Sequence, residues 1–307
     1  TGSVLHSTHE RNLGKVGGLI RNMPWVAATA LIGSLAIAGL PPLNGFVSEW
    51  LLLQAFLFTP GLPQGYVNML VPVAAAAVAL TAALSGYVMV KFFGVVFLGQ
   101  PREAKLAAAH DAGPWESAAL FWLAGGCIVL GLAPGMMLSA IEPITQRFTG
   151  YGIAAAGRGW LFVAPIAPER ASYSPALFLA VASVLIALAW LAVRRLYHGR
   201  VRRAPPWDCG FPWLGARMQD SAEGFGQPVK VVFRPVFRIE GEAPSPHDAR
   251  PRYRESAEDR IWYWLYLPIA HAVERVTGLV TLLQRGRISV YLMYSFATLL
   301  VLLFFIR

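Results

Sequence analysis

The chain has 307 residues, of which 56% are hydrophobic and 14% are charged, and its formal net charge is +9. This composition excludes a disordered chain and is typical of an integral membrane protein. The positive charge does not indicate a nucleic-acid partner, because most of it lies in one hydrophilic block after the fourth apolar span, where a membrane protein is expected to carry it. The two cysteines, Cys127 and Cys209, are too few for a disulfide framework.

The first apolar stretch, residues 24–58, is interrupted near its middle. Pro41 has no amide hydrogen and its ring clashes with the preceding turn, so the first half-helix is predicted to end near Gly39. Asn44 is expected to cap a second half-helix, and Gly45 to relieve crowding in the turn. The predicted break therefore consists of Gly39, Pro41, Pro42, Asn44 and Gly45.

Glu49 lies near the start of the second half-helix. A carboxylate at membrane depth costs roughly 2.5–3.5 kcal/mol on insertion scales and usually marks an ion or proton path. Broken helices at this depth are tolerated where protein or a water-filled cavity covers them, and transporters use them at binding sites. The sequence therefore predicts a proton-carrying role for Glu49. The alternative is that Glu49 pairs with a basic residue and only holds helices together.

The rest of the chain divides by hydropathy into further spans and one hydrophilic segment. We expect an all-α, polytopic transmembrane bundle of five spans, one of them a broken helix, together with an amphipathic surface helix. The predicted parts are a core over 1–138 (broken helix 24–58, spans at about 68–98 and 115–138), a connection and fourth span over 139–196, a hydrophilic segment over 197–260, and a lateral helix with the last span over 261–307.

The positions of the basic residues indicate how many times the chain crosses the membrane. Arg11, Lys15 and Arg21 should share the cytoplasmic side with the Arg194–Arg203 cluster. They do so if residues 24–58 cross once as a broken helix, since four crossings then separate the two groups. The sequence thus predicts an N-terminal end inside the cell and Arg307 outside.

Two polar positions outside the break are secondary candidates. Lys91 lies near the end of the second span and is expected to extend its amine to the interface, with a position facing Glu49 as the alternative. His271 is either a proton relay or a solvated side chain on the polar face of a predicted amphipathic helix over 260–284. That helix is expected to lie along the membrane surface, although packing on the cytoplasmic segment is the other interpretation. Its apolar stripe consists of Leu265, Ile269, Ala272, Val276, Leu279 and Leu283.

A family resemblance rests on residues 39–49, which read Gly-Leu-Pro-Pro-Leu-Asn-Gly-Phe-Val-Ser-Glu. This segment resembles the broken helix of the antiporter-like subunits of respiratory complex I, Mrp-type antiporters and membrane-bound hydrogenases. Their pattern is a proline-containing break, then Gly-Phe, then a charged residue, and Glu49 falls on that charged position. The resemblance implies that Glu49 is a terminal station of a membrane proton path.

The hydrophilic segment indicates which subset of this family the chain resembles. A series of its residues resembles the large antiporter-like subunit of hydrogenase-4 and formate hydrogenlyase complexes, the component B type. Complex I chains lack this series of residues. The resemblance covers nearly the whole chain and is weakest over 136–172. The family's upstream glutamate–lysine pair and central histidine and lysine are absent, and we interpret the chain as a C-terminal fragment. The matching residues are Trp207, Asp208, Cys209, Gly210, Arg217, Met218 and Gln219.

The resemblance implies a proton-translocating membrane subunit of a redox complex in a bacterial or archaeal inner membrane. Its expected partners are other membrane subunits, the lipid bilayer and protons, with Na⁺ possible. We expect no cofactor, no metal and no redox centre in this chain, which lacks a cysteine cluster and a dinucleotide fingerprint. The alternatives are a sodium/proton antiporter of the Mrp type, an antiporter-like subunit of NADH-quinone oxidoreductase, and a non-pumping membrane scaffold.

Overall fold

The computed structural model describes the chain except for residues 59–62, 151, 153–161, 164–171, 198–203, 205–206, 211–212, 217, 243, 246, 249–253, 285–287 and 306–307. Three parts of the predictions therefore lie outside the described residues: Arg217, residues 198–203 of the basic cluster, and Arg307. The chain divides into two units, Thr1–Phe225 and Gly226–Arg307, and each is described by itself.

The first unit is helical. A short helix precedes the broken segment, and three long helices follow it, with one amphipathic helix between the second and the third of these. The last helix of the series runs across the boundary between the two units. The helices are α1 (Gly2–Thr8), α2 (Pro24–Ile37), α3 (Asn44–Leu57), α4 (Gly65–Phe97), α5 (Pro114–Leu132), α6 (Pro134–Thr149), α7 (Pro175–Leu196) and α8 (Ala222–Val232).

The second unit contains an antiparallel hairpin and two further helices. Its elements are β1 (Phe237–Glu242), β2 (Arg254–Asp259), α9 (Leu267–Gln284) and α10 (Ile288–Phe305), and a π-helical turn, Trp262–Tyr266, leads into α9. The strand register pairs Phe237 with Asp259 and Glu242 with Arg254. This hairpin is an addition to the predicted all-α fold. The apolar alternation of β1 is limited to Phe237 and Ile239, and β2 is almost entirely polar, so the sequence pattern of a strand is short.

The predicted membrane bundle is confirmed. Among the described residues, four helices are long and apolar enough to cross a membrane: α4, α5, α7 and α10. The shorter apolar helix α2, with 14 residues, continues through the break into α3, so the broken segment supplies the fifth span. Helix α4 has 33 residues, which corresponds to about 50 Å and exceeds the ~30 Å of a hydrocarbon core.

Helix α5 ends earlier than the span predicted at 115–138. It stops at Leu132, and Pro134 opens α6, which covers the end of that predicted span and the start of the connection predicted from residue 139. Proline suits the first helical position, where its missing amide hydrogen is not needed. The hydropathy pattern did not indicate this helix, because Pro143 and several polar residues lie within it.

One backbone contact decides how often the broken segment crosses. The Gly18 amide donates to the Leu98 carbonyl at 2.9 Å, so the chain before α2 and the chain after α4 lie at the same end of the bundle. Because α4 crosses once, α2 and α3 together also cross once, as the distribution of basic residues predicted. The core of the unit lies at this end, where Leu19, Met23 and Phe97 are fully buried.

The loop before α5 fixes the start of α2 at the same end. The side chain of the N-cap residue, Met23, makes no hydrogen bond to the first turn of α2. The Asp111 carboxylate accepts hydrogen bonds from the Trp25 and Val26 amides instead, at 2.9 and 3.1 Å. A carboxylate at a helix N-terminus satisfies orphan amides and is stabilised by the helix dipole. The first half of the broken helix is thus anchored by a residue 86 positions away from Trp25.

A group of ion pairs connects this loop to the segment after α1. The Lys105 amine lies 2.8 Å from a Glu10 oxygen and 3.0 Å from a Glu103 oxygen. The hydrogen bond from Lys105 lowers the pKa of Glu10 to about 2, and the bond to Glu10 raises the pKa of Lys105. Both loops at this end of the bundle are therefore tied together by charge as well as by backbone contacts.

The second unit contains the predicted amphipathic helix. Helix α9 with its leading π-helical turn covers most of residues 260–284, which confirms the helix over that range. Residues of its apolar stripe are exposed within the described structure, including Ile269 at 53% and Leu279 at 66%. Its placement along a membrane surface stays a prediction.

Candidate functional site at the helix break

Helix α2 ends in a Schellman motif that requires glycine. The Gly39 amide donates to the Ala36 carbonyl and the Leu40 amide donates to the Leu35 carbonyl, both at 3.1 Å. Gly39 has φ +65°, the left-handed conformation that side chains other than glycine disfavour. The predicted end of the first half-helix near Gly39 is therefore built by local backbone chemistry.

Proline at position 41 leaves one carbonyl of α2 without its usual donor. In a continuous helix the Ile37 carbonyl would accept from the amide four residues later, which is the position of Pro41. The Ser85 hydroxyl of α4 donates to this carbonyl instead, at 2.7 Å. The Pro41–Pro42 peptide bond is cis.

Helix α3 begins at Asn44, but Asn44 does not cap it. The N-cap is Leu43, with extended backbone, and no side chain bonds to the first turn. The predicted capping role of Asn44 is therefore wrong, because the residue already lies inside the helix, where its side chain cannot reach the first free amides. Its Oδ1 atom is buried and has no hydrogen-bond partner in the described part of the chain.

Two glycines allow backbones to approach closely at the break. A Cβ atom on Gly45 would overlap the Ala36 carbonyl, so Gly45 relieves crowding as predicted. A Cβ atom on Gly131 of α5 would overlap the Pro42 carbonyl and lie 2.7 Å from the Leu43 Cα atom. Sequence reasoning missed Gly131, since nothing in the sequence of α5 indicates which helix face meets the break.

The Glu49 side chain lies directly over the break. It is half-buried on the second turn of α3, and its carboxylate occupies the space that a Cβ atom on Gly39 would need. Among the residues that the structure describes, no hydrogen bond or ion pair reaches this carboxylate. The alternative in which Glu49 pairs with a basic residue is thus not formed within the described residues.

Three further side-chain oxygens on or beside α3 are buried without partners in the described part of the chain. They belong to Asn44 and Gln54, which lie five residues before and after Glu49 on α3, and to the Tyr173 hydroxyl. The Tyr173 ring packs against Phe46 and Trp50, with ring centroids 5.0 and 5.7 Å apart. Buried polar atoms normally find a protein or water partner, so these three atoms indicate a polar environment that water can enter.

Of the secondary candidates, Lys91 lies away from the helix break and His271 belongs to the second unit. Lys91 is six residues beyond Ser85 on α4, about 9 Å along the helix axis toward Leu98. It lines a cavity of about 300 Å³ together with Arg102, Gln219 and other residues. His271 is exposed on α9 in the second unit.

The residues of the hydrophilic motif form turns and one hydrogen-bonded contact between two loops. The Gly210 amide donates to the Asp208 carboxylate at 2.9 Å, and the Trp207 indole donates to the Cys209 sulfur at 3.0 Å. The Gln219 amide group exchanges two hydrogen bonds with the Gln100 backbone, at 2.8 and 2.9 Å. Met218 is exposed.

Metal-ligating side chains are dispersed in the part of the chain that the structure describes. No group of three or more His, Cys, Asp or Glu side chains comes together there. The two cysteines, Cys127 in α5 and Cys209, are free thiols.

The fold and the helix break define a multi-pass membrane protein of the antiporter-like class. Residues 1–62, which contain the break and Glu49, match the NADH:quinone oxidoreductase/Mrp antiporter transmembrane family. Two homologues of the chain in Escherichia coli K12 come from hydrogenase systems. Hydrogenase-4 component B is 30% identical over 98% of this chain and 46% of its own length, and formate hydrogenlyase subunit 3 is 32% identical over 78% of this chain and 37% of its own length.

A solved structure shares the fold. It is the membrane-bound sulfane sulfur reductase, an archaeal respiratory membrane complex, in which one chain matches 98% of this chain with a TM-score of 0.58 and 22% identity. That match covers 43% of the longer chain. The present chain spans less than half the length of each of these relatives.

Proposed function

We propose that this chain is part of a proton-translocating membrane subunit of a hydrogenase- or formate hydrogenlyase-type complex, and that Glu49 takes up and releases the proton. The observation that carries the proposal is the Glu49 carboxylate at the break of a membrane-spanning helix, without a partner in the described residues. Ionisable groups at this depth are costly and are retained mainly on ion and proton paths. The hydrogenase-type homologues support the class of complex.

The break itself would give the proton access to Glu49. Gly39 lets the carboxylate lie against the backbone of the break. A proton would reach the carboxylate from a donor within hydrogen-bond reach or through one water. Electron transfer is assigned to partner subunits, because an iron–sulfur cluster held by four cysteines needs more than the two in this chain.

The proposal extends to partners and location. The partners would be other membrane subunits of such a complex, in the inner membrane of a bacterium or archaeon. The end of the bundle that carries Lys15 and Lys105 would face the cytoplasm, since basic residues hold that side.

Sodium/proton antiport is the second candidate. The family that residues 1–62 match includes the Mrp antiporters, and an antiporter would use the same broken helix and the same carboxylate. The two candidates differ in their driving force, because an antiporter needs a sodium gradient and the first candidate needs redox turnover. Proton movement measured with and without sodium therefore separates them.

The experiment substitutes Glu49 in the full-length protein within its complex. Glu49→Gln keeps the size of the side chain but cannot ionise, so proton uptake into vesicles driven by the partner hydrogenase should be lost or strongly reduced while the complex stays assembled. Glu49→Asp should keep part of the uptake, because it ionises but reaches about one methylene less far. Glu116→Gln, in the first turn of α5, is the matched control and should behave as the unmodified protein.

If Glu49 has only a structural role, its substitutions should rank differently in severity. Gln would then be mild, because it keeps hydrogen-bonding capacity, and Asp and Ala would damage assembly on a native gel. Normal proton uptake by an assembled Glu49→Gln complex would refute the assignment of Glu49 as the proton carrier.

A further inference from the structure

The break in the α2–α3 span leaves backbone acceptors without the amide four residues later, and the Ile37 carbonyl is one of them. The Ile37 carbonyl lies four residues before Pro41, which has no amide hydrogen to offer. At membrane depth no bulk water replaces the lost donor, so a polar backbone group must find a partner inside the protein. The partner that the fold supplies is a side chain on another helix.

That partner is Ser85 of α4, whose hydroxyl donates to the Ile37 carbonyl at 2.7 Å. A serine or threonine inside a helix commonly donates to its own helix one turn earlier. Thr81 of α4 does so, with a 2.8 Å bond to the Ala77 carbonyl. Ser85, one turn later, instead donates across to α2. Gly86 follows it, and a Cβ atom there would lie 4.0 Å from both the Ala38 oxygen and the Ala38 Cβ atom, which leaves room for the two helices to meet.

The contact lies close in sequence to the functional carboxylate. Ile37 is two residues before Gly39, and the Schellman motif fixes both in one turn through the bonds from Gly39 to Ala36 and from Leu40 to Leu35. The backbone of Gly39 is the surface on which the Glu49 carboxylate lies. A displacement of the Ile37 carbonyl therefore displaces the surface beneath Glu49.

We propose that Ser85 is a positioning residue for Glu49. Its hydroxyl replaces the amide that Pro41 lacks, holds the end of α2 on α4, and thereby sets where the Glu49 carboxylate lies. The inference rests on the proposed function, since it assigns Ser85 a part in the proton step. Ser85 acts through Ile37 and Gly39.

The test compares Ser85→Ala, Ser85→Thr and Thr81→Val in the full-length complex. Two quantities are measured: the infrared band of the Glu49 carboxyl group, assigned by its loss in Glu49→Gln, and proton uptake driven by the partner hydrogenase. Ser85→Ala should shift the carboxyl band and lower uptake by roughly threefold to fifteenfold, the range that corresponds to one interhelical hydrogen bond in a membrane. Ser85→Thr retains the hydroxyl and should restore both. Thr81→Val removes a hydroxyl one turn away on α4 and should leave both unchanged.

Several results would overturn the proposal. They are an unshifted Glu49 band in an assembled Ser85→Ala complex, equal effects of Ser85→Ala and Thr81→Val, or no recovery in Ser85→Thr. If Ser85→Ala does not assemble, Ser85→Cys, with its weaker donor, takes its place under the same criteria. The band reports position and not transport. A shifted band in Ser85→Ala together with normal uptake in Glu49→Gln would therefore refute the proposed function and retain the positioning role.

Discussion

Replacing Gly39 by alanine tests the geometry of the break with one methyl group. An L-residue in the left-handed conformation of Gly39 costs roughly 1–2 kcal/mol. The new Cβ atom would also meet the Glu49 carboxylate and displace it, and a side chain forced off its rotamer costs of order 0.5–1.5 kcal/mol. The two terms predict a destabilisation of about 1.5–3.5 kcal/mol for Gly39→Ala.

The chain offers a matched control in Gly150, at the end of α6. Gly150 has φ +75°, close to the +65° of Gly39, but among the described residues no atom beyond its chain neighbours and the backbone of its own helix lies within 4 Å of its Cβ position. Gly150→Ala should therefore show the conformational term alone, roughly 1–2 kcal/mol.

The assay is unfolding of the purified full-length protein in detergent, with Gly39→Ala measured both alone and combined with Glu49→Asp. The shorter aspartate should relieve the collision, so the cost of Gly39→Ala in that background should fall toward the Gly150→Ala value. Equal costs for Gly39→Ala and Gly150→Ala, or strict additivity in the double variant, would refute the contact between Gly39 and Glu49.

Two further predictions concern the basic end of the bundle. Cys209 is exposed, so an impermeant thiol reagent should label it in inverted vesicles but not in intact cells, with Cys209→Ser as the unlabelled control, and labelling from outside would reverse the proposed orientation. The pKa of Glu10 lies below its ordinary value of 4.5, at about 2, so the stabilisation from its bond to Lys105 is present above pH 4.5 and is lost as the pH falls toward 2. The difference in melting temperature between the unmodified protein and Lys105→Met should shrink over that interval, and a constant difference would contradict the pairing.

The position of the break could be predicted because its causes are local. Pro41 removes an amide and Gly39 permits the left-handed turn, and both effects depend only on residues a few positions apart. The membrane spans were predictable for the same reason, since a long apolar run has few alternatives. The single crossing of α2 and α3 followed from the placement of basic residues, which reflects membrane orientation and not contacts within the chain.

The errors arise where a local rule competes with tertiary contacts. Asn44 is a favourable residue type for a helix cap, but Leu43 takes the capping position and Asn44 lies within the helix. The carbonyl of Pro42 and the backbone of Leu43 lie against Gly131 of α5, a contact that no rule of local sequence contains. The capping rule identifies which residue types can cap, and packing decides which residue does.

The residues that sequence reasoning missed are those that satisfy the broken helix from a distance. Asp111 accepts from the first amides of α2, and Ser85 donates to the Ile37 carbonyl at its other end. Each is an ordinary polar residue in its own segment, and its importance arises only when the fold brings it to a helix end.

These two contacts bear on the proposal that Glu49 carries a proton. The first amides of α2 and its Ile37 carbonyl find partners supplied by remote parts of the sequence, which shows that the fold satisfies free backbone groups at both ends of α2. The Glu49 carboxylate is the more expensive group to bury, yet within the described residues it has neither a basic partner nor a hydrogen-bond donor. A side chain that served only to hold helices together would be expected to use such a partner. A carboxylate without a fixed partner can accept and release a proton without first breaking an ion pair, and this is the arrangement of Glu49 among the described residues.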